Sequence, residues 1–596
     1  MFRAKAQRCK GSRFELLAVR LCGFAPLREK RLRFEAMKSF RLLVALTLLI
    51  VLIGAAWLWW SSPARVDMAD YAPADSLVYV EFNSLPSIAQ AIQNSELWQA
   101  TAPITHNKPA QQNRLMSAAA RAGLGPLDAV LFARSQVALV MIGMNTSEQN
   151  DTLKVRPEFA LIAETHTSKW RTKPAVISAV KNLANLTYGT SNCSERTGDA
   201  DYVECTVAGA ERKIVGAIYG TVVVIGNSDN AVRSCLDVRR GVRPSIRTDP
   251  DLMKVRSSVT SNNTLGFGYI SPANSAKLFS WAAPLWMGQA PGDQKLEQLF
   301  AVSAGKVLDG VAWTASSASG GIEDRFLFSL EPGVVSRLQP AFETAERDEN
   351  FWKLVPEGFQ SLTIYRNKTP AVAWSSLNSA VAFKLDALPA VLFGELLRSS
   401  LSVYGISNPK EVLTTLSPPL LTLKPSEGSE GSILVARVSD EAALRRSLTQ
   451  EEFKGEVLEG LGSNPDPGKE FAAVFADGYV LLGKTENMRA GLEALRKSRA
   501  DERRDLKQSA QESSAPIVTL ADDEARVNNF ITTLLKLQGR RLSNDEATRL
   551  QEILQRSSFS STETRLNADG IERTTHSAFG QFGTFVGLLH SDSSVR

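Results

Sequence analysis

Residues 222–240, VVVIGNSDNAVRSCLDVRR, decide how the fold of this chain is interpreted, because residues 479–497, YVLLGKTENMRAGLEALRK, repeat their pattern. In both stretches an apolar run with strand character leads to a Gly, then to Ser or Thr, an acidic residue and an amphipathic run. The hydroxyls of Ser228 and Thr485 are predicted to cap the helices that follow, since each can accept from an unpaired backbone N–H. The pattern therefore predicts a strand, a turn and a capped helix, twice.

Three further pairs of segments resemble each other and occur in the same order in both halves of the chain. They are residues 80–84 with 375–379, residues 159–169 with 432–442, and residues 320–325 with 569–573. Four pairs in one order predict a duplicated domain. Strands separated by helices, with hairpins between them, predict an α+β fold with two tandem related lobes at residues 71–335 and 345–590. Each lobe is expected to be a largely antiparallel sheet with helices on one face.

Residues 42–60, LLVALTLLIVLIGAAWLWW, are predicted to form a single transmembrane anchor, because they contain no charged residue over about 28 Å of helix. The span begins at Leu42. Trp57, Trp59 and Trp60 cluster at its other end, where amphipathic rings favour the level of the lipid headgroups. A cleaved signal peptide is the alternative, although its apolar core is usually shorter and ends in small residues.

The arm before the anchor, residues 1–41, carries twelve Lys and Arg against three Glu, whereas the rest of the chain has 56 basic and 60 acidic residues. The basic flank predicts a cytoplasmic N-terminus and a body exported across the bacterial inner membrane. Residues 61–70 are expected to form a tether between the anchor and the body. Residues 1–36 lie upstream of an alternative start at Met37. The nearly neutral body has no basic footprint for nucleic acid, so nucleic-acid binding is not predicted.

Cysteine usage fits an exported body. Cys193 and Cys205 flank a polar stretch between residues with strand character, so in an oxidising compartment they either close a hairpin with a disulfide or remain two thiols on neighbouring strands. Cys235 is expected to be a packed thiol in a helix. No Cys or His cluster has the spacing of a structural zinc site, and no metal or cofactor is predicted.

The sequence nominates no catalytic residue. Ser228-Asp229-Asn230 matches one motif of serine β-lactam-type enzymes, but the Ser-x-x-Lys motif at residues 303–306 follows it in reversed order. Lys484-Thr485 is followed by Glu486 where that enzyme class requires Gly. The Gly-rich stretch at residues 462–470 has the wrong spacing for a P-loop, and the four histidines are scattered.

Residues 73–86, PADSLVYVEFNSLP, and residues 222–241, VVVIGNSDNAVRSCLDVRRG, together with the predicted anchor, resemble a family of uncharacterised bacterial envelope proteins labelled domain of unknown function 3352. The resemblance covers most of the predicted exported region. It implies a bacterial, membrane-anchored, extracytoplasmic protein. It transfers no catalytic residue to this chain.

The function predicted from these observations is a non-enzymatic binding or scaffolding protein of the bacterial cell envelope. What repeats in the chain is strands, caps and turns rather than polar side chains, which favours architecture over catalysis. The expected partner is an envelope protein, a lipid or a glycan. Two alternatives are an envelope hydrolase whose site is assembled from distant residues, and a carrier for an apolar ligand such as a lipid.

Overall fold

The computed structural model describes residues 65–104, 135–149, 152–188, 192–206, 212–275, 277–278, 305–346, 348, 350–356, 359–425, 431–448, 453–497, 510, 512–537, 542–557 and 559–588. From Asp67 onward the chain forms one compact unit. The basic arm and the predicted anchor, with Leu42, Trp57, Trp59 and Trp60, lie outside the described residues. Within the described ranges, no helix combines the length and hydropathy that crossing a bilayer requires.

Nineteen strands are described. In chain order they are β1 Val78–Phe82, β2 Gln136–Gln149, β3 Thr152–Glu164, β4 Asn192–Thr197, β5 Asp201–Thr206, β6 Lys213–Tyr219, β7 Val222–Gly226, β8 Thr264–Ile270, β9 Leu308–Ala318, β10 Gly321–Leu330, β11 Phe359–Tyr365, β12 Leu416–Pro425, β13 Ile433–Val438, β14 Gly455–Glu459, β15 Phe471–Ala476, β16 Tyr479–Lys484, β17 Ile517–Asp522, β18 Phe559–Asn567 and β19 Gly570–Ser577.

Fourteen α-helices are described with them. They are α1 Leu85–Gln93, α2 Glu96–Thr101, α3 Lys169–Tyr188, α4 Asp229–Arg239, α5 Pro250–Val259, α6 Pro332–Leu338, α7 Pro370–Ala382, α8 Ala387–Ser402, α9 Pro409–Thr414, α10 Glu441–Leu448, α11 Thr485–Lys497, α12 Glu524–Leu537, α13 Asn544–Ser557 and α14 Gly580–Leu588. Short 3₁₀ helices occur as well. The first, Met68–Asp70, buries Met68 and Ala69 within the predicted tether.

All nineteen strands belong to one sheet. Their order across the sheet is β4-β5-β6-β7-β3-β2-β1-β8-β9-β10-β19-β18-β17-β11-β12-β13-β16-β15-β14. Every neighbouring pair is antiparallel except β14 with β15. The α+β class and the largely antiparallel sheet are therefore as predicted.

The two halves of the sheet run in the same order. Eight strands of the first half follow the order β6-β7-β3-β2-β1-β8-β9-β10, and eight of the second follow β15-β16-β13-β12-β11-β17-β18-β19. The registers agree as well. Leu161 faces Ile225, and the residues aligned with them in the repeat, Leu434 and Leu482, also face each other.

The halves meet at the antiparallel pair β10–β19. Ile322 faces Ser577 and Phe328 faces Ile571, so the pairing is symmetric about the Arg325–Thr574 pair. An apolar core also crosses this junction, with Leu97 of the first half packed among residues of α12 and α13. The sheet thus continues through the boundary that the sequence predicted between residues 335 and 345.

Helices cover both faces of the sheet, so the prediction of helices on one face is wrong. A Cβ on Gly216 would meet Val176 and Val180 of α3, whereas a Cβ on Gly226 would meet Val232 of α4 on the opposite face. The reason lies in the strands near each end of the sheet. Runs such as 222–225, VVVI, are apolar on both faces, so each face needs its own cover.

One of the four proposed repeat pairs is also wrong. Residues 80–84 span the end of β1 and the residues that follow it, whereas residues 375–379 lie inside helix α7. The strand that occupies the position of β1 in the second half is β11, which β12 and β17 flank as β2 and β8 flank β1. A five-residue match with two identities cannot distinguish a strand end from a helix.

Candidate functional site

Five threonines form a straight row across adjacent strands of the second half. Thr575 of β19 faces Thr562 of β18, which faces Thr519 of β17; Thr519 faces Thr363 of β11, which faces Thr422 of β12. Neighbouring strands lie about 4.8 Å apart, so the four steps cover about 19 Å. We call this set the hydroxyl row.

The hydroxyl row shares its face of the sheet with apolar cores. Leu434 lies in line with Thr422 and is a core residue, and Leu566 and Ile571 on the same face pack against α6 and α7. In β11, Leu362 and Ile364 are fully buried on one face, while Thr363 between them is partly exposed on the other. The strands β12 and β17 alternate in the same way. Thr422, Thr519 and Thr575 are also partly exposed, whereas Thr562 is buried. In these strands the row therefore lies on the more polar of the two faces, and that face is partly covered.

Hydrogen bonds within the row orient its hydroxyls. The Oγ1 atoms of Thr363 and Thr519 are 3.1 Å apart, and those of Thr562 and Thr575 are 2.9 Å apart. A hydroxyl has one donor and two acceptor positions, so each pair retains further hydrogen-bonding capacity. The row is therefore a preformed strip of neutral donors and acceptors.

A second row on the same face adds rings and a cation. Arg573 faces Phe326 on one side and Thr564 on the other, and Tyr365 lies two strands beyond Thr564. Arg573 is exposed, while Phe326 and Tyr365 are partly exposed. Burial raises the pKa of Tyr365 above its ordinary value, and a hydrogen bond with Thr422 and the charge of Arg573 act in the opposite direction.

In the first half, the row that corresponds to the hydroxyl row is apolar. It consists, strand for strand, of Phe326, Trp313, Gly268, Val80 and Leu139. Trp313 is 6% exposed and packs edge-to-face against Phe82 and Phe582. A Cβ on Gly268 would lie 3.1 Å from the Trp313 ring, so the glycine makes room for the indole. One half therefore fills this face with aromatic rings, and the other lines it with hydroxyls.

A buried carboxyl, Asp324, lies beside the hydroxyl row, opposite Thr575. Trp313 Nε1 donates to its Oδ1 at 2.9 Å, and the backbone N–H of Gln581 donates to its Oδ2 at 2.9 Å. Burial raises the pKa of Asp324 to about 6. Because both oxygens already accept hydrogen bonds from the fold, this carboxyl joins β10 to Trp313 and to helix α14.

A second buried charged cluster ties the start of the described chain to the sheet. Arg256 donates to Glu81 Oε1 at 2.6 Å and to Asp67 Oδ1 at 2.8 Å, and the Tyr79 hydroxyl donates to Glu81 Oε2 at 2.6 Å. Burial raises the pKa of Glu81, while the charge of Arg256 acts to lower it. Every member of this cluster has its partner within the cluster, which is typical of a structural ion pair.

The two predicted helix caps differ. Ser228 is the N-cap of α4, and its Oγ accepts from the backbone N–H of Ala231 at 3.1 Å. Thr485 is instead the first residue of α11, and its buried Oγ1 has no hydrogen-bond partner. The prediction for Thr485 is therefore wrong. Its backbone N–H donates to the Glu470 carbonyl, which holds it at the end of the β16 strand.

Cys193 and Cys205 are joined by a disulfide. They face each other in the antiparallel pair β4–β5 at the edge of the sheet. Cys235 is a buried free thiol on helix α4, and burial raises its pKa to about 12. The disulfide thus closes the outermost hairpin of the first half.

Among the described residues, no group of three or more His, Cys, Asp or Glu side chains is placed to hold a metal ion. His166 interacts with Gln136, and His576 lies 3.4 Å from Glu323; His106 and His590 lie outside the described residues. No family model, curated protein or solved structure matches this chain.

Sequence reasoning missed the hydroxyl row. The local signal is a single Thr at the centre of an apolar strand, as in SLTIY at residues 361–365, LLTLK at 420–424 and IVTLA at 517–521. Each of these five-residue stretches, taken alone, is typical of an ordinary strand. Only the strand order places the threonines side by side.

Proposed function

We propose that this protein is a non-enzymatic binding or scaffolding protein of the bacterial cell envelope. In this proposal, residues 42–60 anchor it in the inner membrane and the body lies in the extracytoplasmic space. The partner binds on the sheet face that carries the hydroxyl row. The Cys193–Cys205 disulfide is compatible with an oxidising compartment.

We infer that the body is a duplicated α+β unit whose two lobes share one sheet. The support is the common strand order, the matching registers of β3–β7 and β13–β16, and the symmetric pairing of β10 with β19. After such a duplication, one copy can keep a function or gain one while the other maintains the fold.

The contrast between the two copies is the observation that carries the proposed function. The face that holds Trp313 and Phe326 in the first half presents Thr562 and Thr575 in the second. An apolar row would bury more surface and stabilise the fold further, by about 25 cal/mol for each Å². Four of the five threonines in its place are partly exposed, which favours selection for contact with a partner.

The test is site-specific photo-crosslinking in the native membrane. A photoreactive residue replaces Thr519 in the middle of the hydroxyl row, and the matched control replaces Val242, which is 74% exposed in the first half. We expect a reproducible crosslinked species from position 519 and none from position 242. Identical products from both positions, or no product from position 519, would contradict a binding role for this face.

A further inference from the structure

One end of the sheet in the first half carries aromatic rings that each lie beside an arginine. At this end β3 stops and β7 begins, and pairing sets Val222 opposite both Glu164 and Tyr219. The turn between β4 and β5 lies here as well, since Asp201 pairs with Ile218. In three pairs the guanidinium carbon lies 4.8–5.4 Å from the centre of the ring; they are Tyr71 with Arg239, Trp170 with Arg171, and Tyr202 with Arg196. We call these three pairs the aromatic end.

The fold brings Tyr71 and Trp170 to this end from outside the strands. The Tyr71 hydroxyl donates to Glu164 Oε2 at 3.1 Å, and Trp170 lies in the first turn of α3, six residues after Glu164. Tyr202 belongs to β5, next to Asp201. Trp170 is 72% exposed and Tyr202 is partly exposed, whereas Tyr71 is buried. The indole is therefore the ring that this end presents to its surroundings.

The three arginines of the aromatic end are exposed, and none of them forms an ion pair with a carboxylate of the described residues. The acids nearby have other partners. Asp201 pairs with two lysines of α3, and Asp199 pairs with Arg240. Glu164 is buried and accepts from the Tyr71 hydroxyl. This end therefore carries three guanidinium groups that can bind an anion from outside the body.

Exposed rings beside arginines match the headgroup layer of a bilayer. Trp and Tyr are enriched where lipid headgroups meet water, because each ring combines an apolar surface with a polar group. A guanidinium can donate two parallel hydrogen bonds to one phosphate, and basic side chains are attracted to the surface of an anionic membrane. The aromatic end combines both features on one surface.

The body begins at the aromatic end. Tyr71, one of its rings, directly follows the 3₁₀ helix Met68–Asp70. The predicted anchor ends at Trp60, so seven steps of chain join it to Asp67, and seven extended residues span at most about 25 Å. A link this short favours the surface of the bilayer that holds the anchor, rather than a soluble ligand, as the occupant of this end.

We propose that the aromatic end is a membrane-docking surface that lies in the headgroup layer of an anionic bilayer. Trp170 enters that layer, and Arg171, Arg196 and Arg239 bind lipid phosphates. The inference rests on the proposed membrane anchoring and gives the body a second contact with the same bilayer. Docking at this end would fix the orientation of the sheet relative to the membrane.

The experiment is photo-crosslinking of the full-length protein to lipid, in vesicles of phosphatidylethanolamine and phosphatidylglycerol. A photoreactive residue replaces Trp170, and the matched control replaces Leu388, which is 62% exposed on α8. Mass spectrometry measures the lipid adducts. We expect about tenfold more lipid adduct at position 170 than at position 388. Equal yields at the two positions, or an adduct with a second copy of the chain in place of lipid, would overturn the proposal.

The charge is tested with the probe at position 170. Arg196→Gln with Arg239→Gln should lower the lipid adduct about tenfold, and replacing phosphatidylglycerol by phosphatidylcholine should do the same. The matched control, Arg398→Gln with Arg489→Gln, removes two exposed arginines of the second half and should leave the yield unchanged. An equal yield from all of these samples would contradict binding of lipid phosphates.

The indole is tested with a second probe at Gly198, in the exposed turn between β4 and β5. A Cβ there would lie 3.9 Å from its nearest neighbour, so the position accepts a side chain. Trp170→Ser should lower the lipid adduct at position 198 several-fold, and an unchanged yield would show that the ring does not enter the bilayer. Circular dichroism checks the fold of each variant. The probe at Gly198 in the parent replaces the probe at position 170 if that variant unfolds.

An alkaline wash of the vesicles separates this inference from the proposed function. Protein that the wash removes would refute the anchor, and with it the proposed location. Protein that stays in the vesicles but gives no lipid adduct at positions 170 and 198 would refute the docking surface alone.

Discussion

At the scale of single residues, Asp324 links the stability of the fold to pH. Burial raises its pKa from 3.8 to about 6, so between these values the folded protein binds more protons at this carboxyl than the unfolded chain does. Its contribution to the free energy of unfolding therefore falls as pH rises through this window, by about 3 kcal/mol at most. Asp324→Asn should remove this slope in urea denaturation from pH 4 to 7, and the exposed Asp386→Asn should keep it.

Trp313 and Thr562 occupy corresponding positions in the two halves but should differ in their effect on stability. Trp313→Ala removes the centre of the cluster that Phe82 and Phe582 share, at a cost of about 3–5 kcal/mol. Thr562→Val loses one hydrogen bond and should change stability by about 1 kcal/mol or less. Chemical denaturation of both variants checks this, and a large loss for Thr562→Val would show that the hydroxyl row holds the fold together.

At the scale of elements, the two strand-to-helix junctions at Ser228 and Thr485 should respond differently to loss of the hydroxyl. Ser228→Ala removes the hydrogen bond to the Ala231 N–H and should cost about 1 kcal/mol. Thr485→Val removes a buried hydroxyl that has no partner, so it should be neutral or stabilising. Thermal unfolding of the two variants side by side is the measurement. Equal destabilisation would mean that Thr485 caps α11 in solution.

The β4–β5 hairpin at the sheet edge should depend on its disulfide. Closing the loop between Cys193 and Cys205 stabilises the protein by about 3 kcal/mol through the lost entropy of the unfolded chain. Cys193→Ser with Cys205→Ser should lower the free energy of unfolding by about this amount. Reduction with dithiothreitol should reproduce the loss in the parent and leave the double variant unchanged. If reduction leaves the parent as stable as before, the hairpin does not need the bond.

At the scale of the whole molecule, the β10–β19 pair should make both halves unfold together. A Cβ on Gly321 would collide with the Ser577 carbonyl, and one on Gly570, whose φ is 143°, would collide with the Phe328 carbonyl. Gly570→Ala should therefore cost at least about 2 kcal/mol. Backbone amide hydrogen exchange in this variant should be faster in both β7 and β16. Faster exchange in β16 alone would show that the halves are separate folding units.

The sequence by itself determined much of the local structure, because these features depend on neighbouring residues. The Ser228 cap followed from the residue at a strand-to-helix turn. The repeat at residues 222–240 and 479–497 gave two strand–helix units that the structure places at corresponding points of the sheet. Where the match was short, as for residues 375–379, the same reasoning mistook a helix for a strand end.

The tertiary structure alone decided what the strands bring together. The order of strands depends on contacts between residues far apart in the chain. The alternation of polar and apolar residues within one strand is the same whichever strand pairs with it. That order placed helices on both faces, made one sheet of two halves, and aligned Thr363, Thr422, Thr519, Thr562 and Thr575 into the hydroxyl row. A single Thr in a strand has no local signal that distinguishes it, because its role depends on the hydroxyl that strand pairing places beside it.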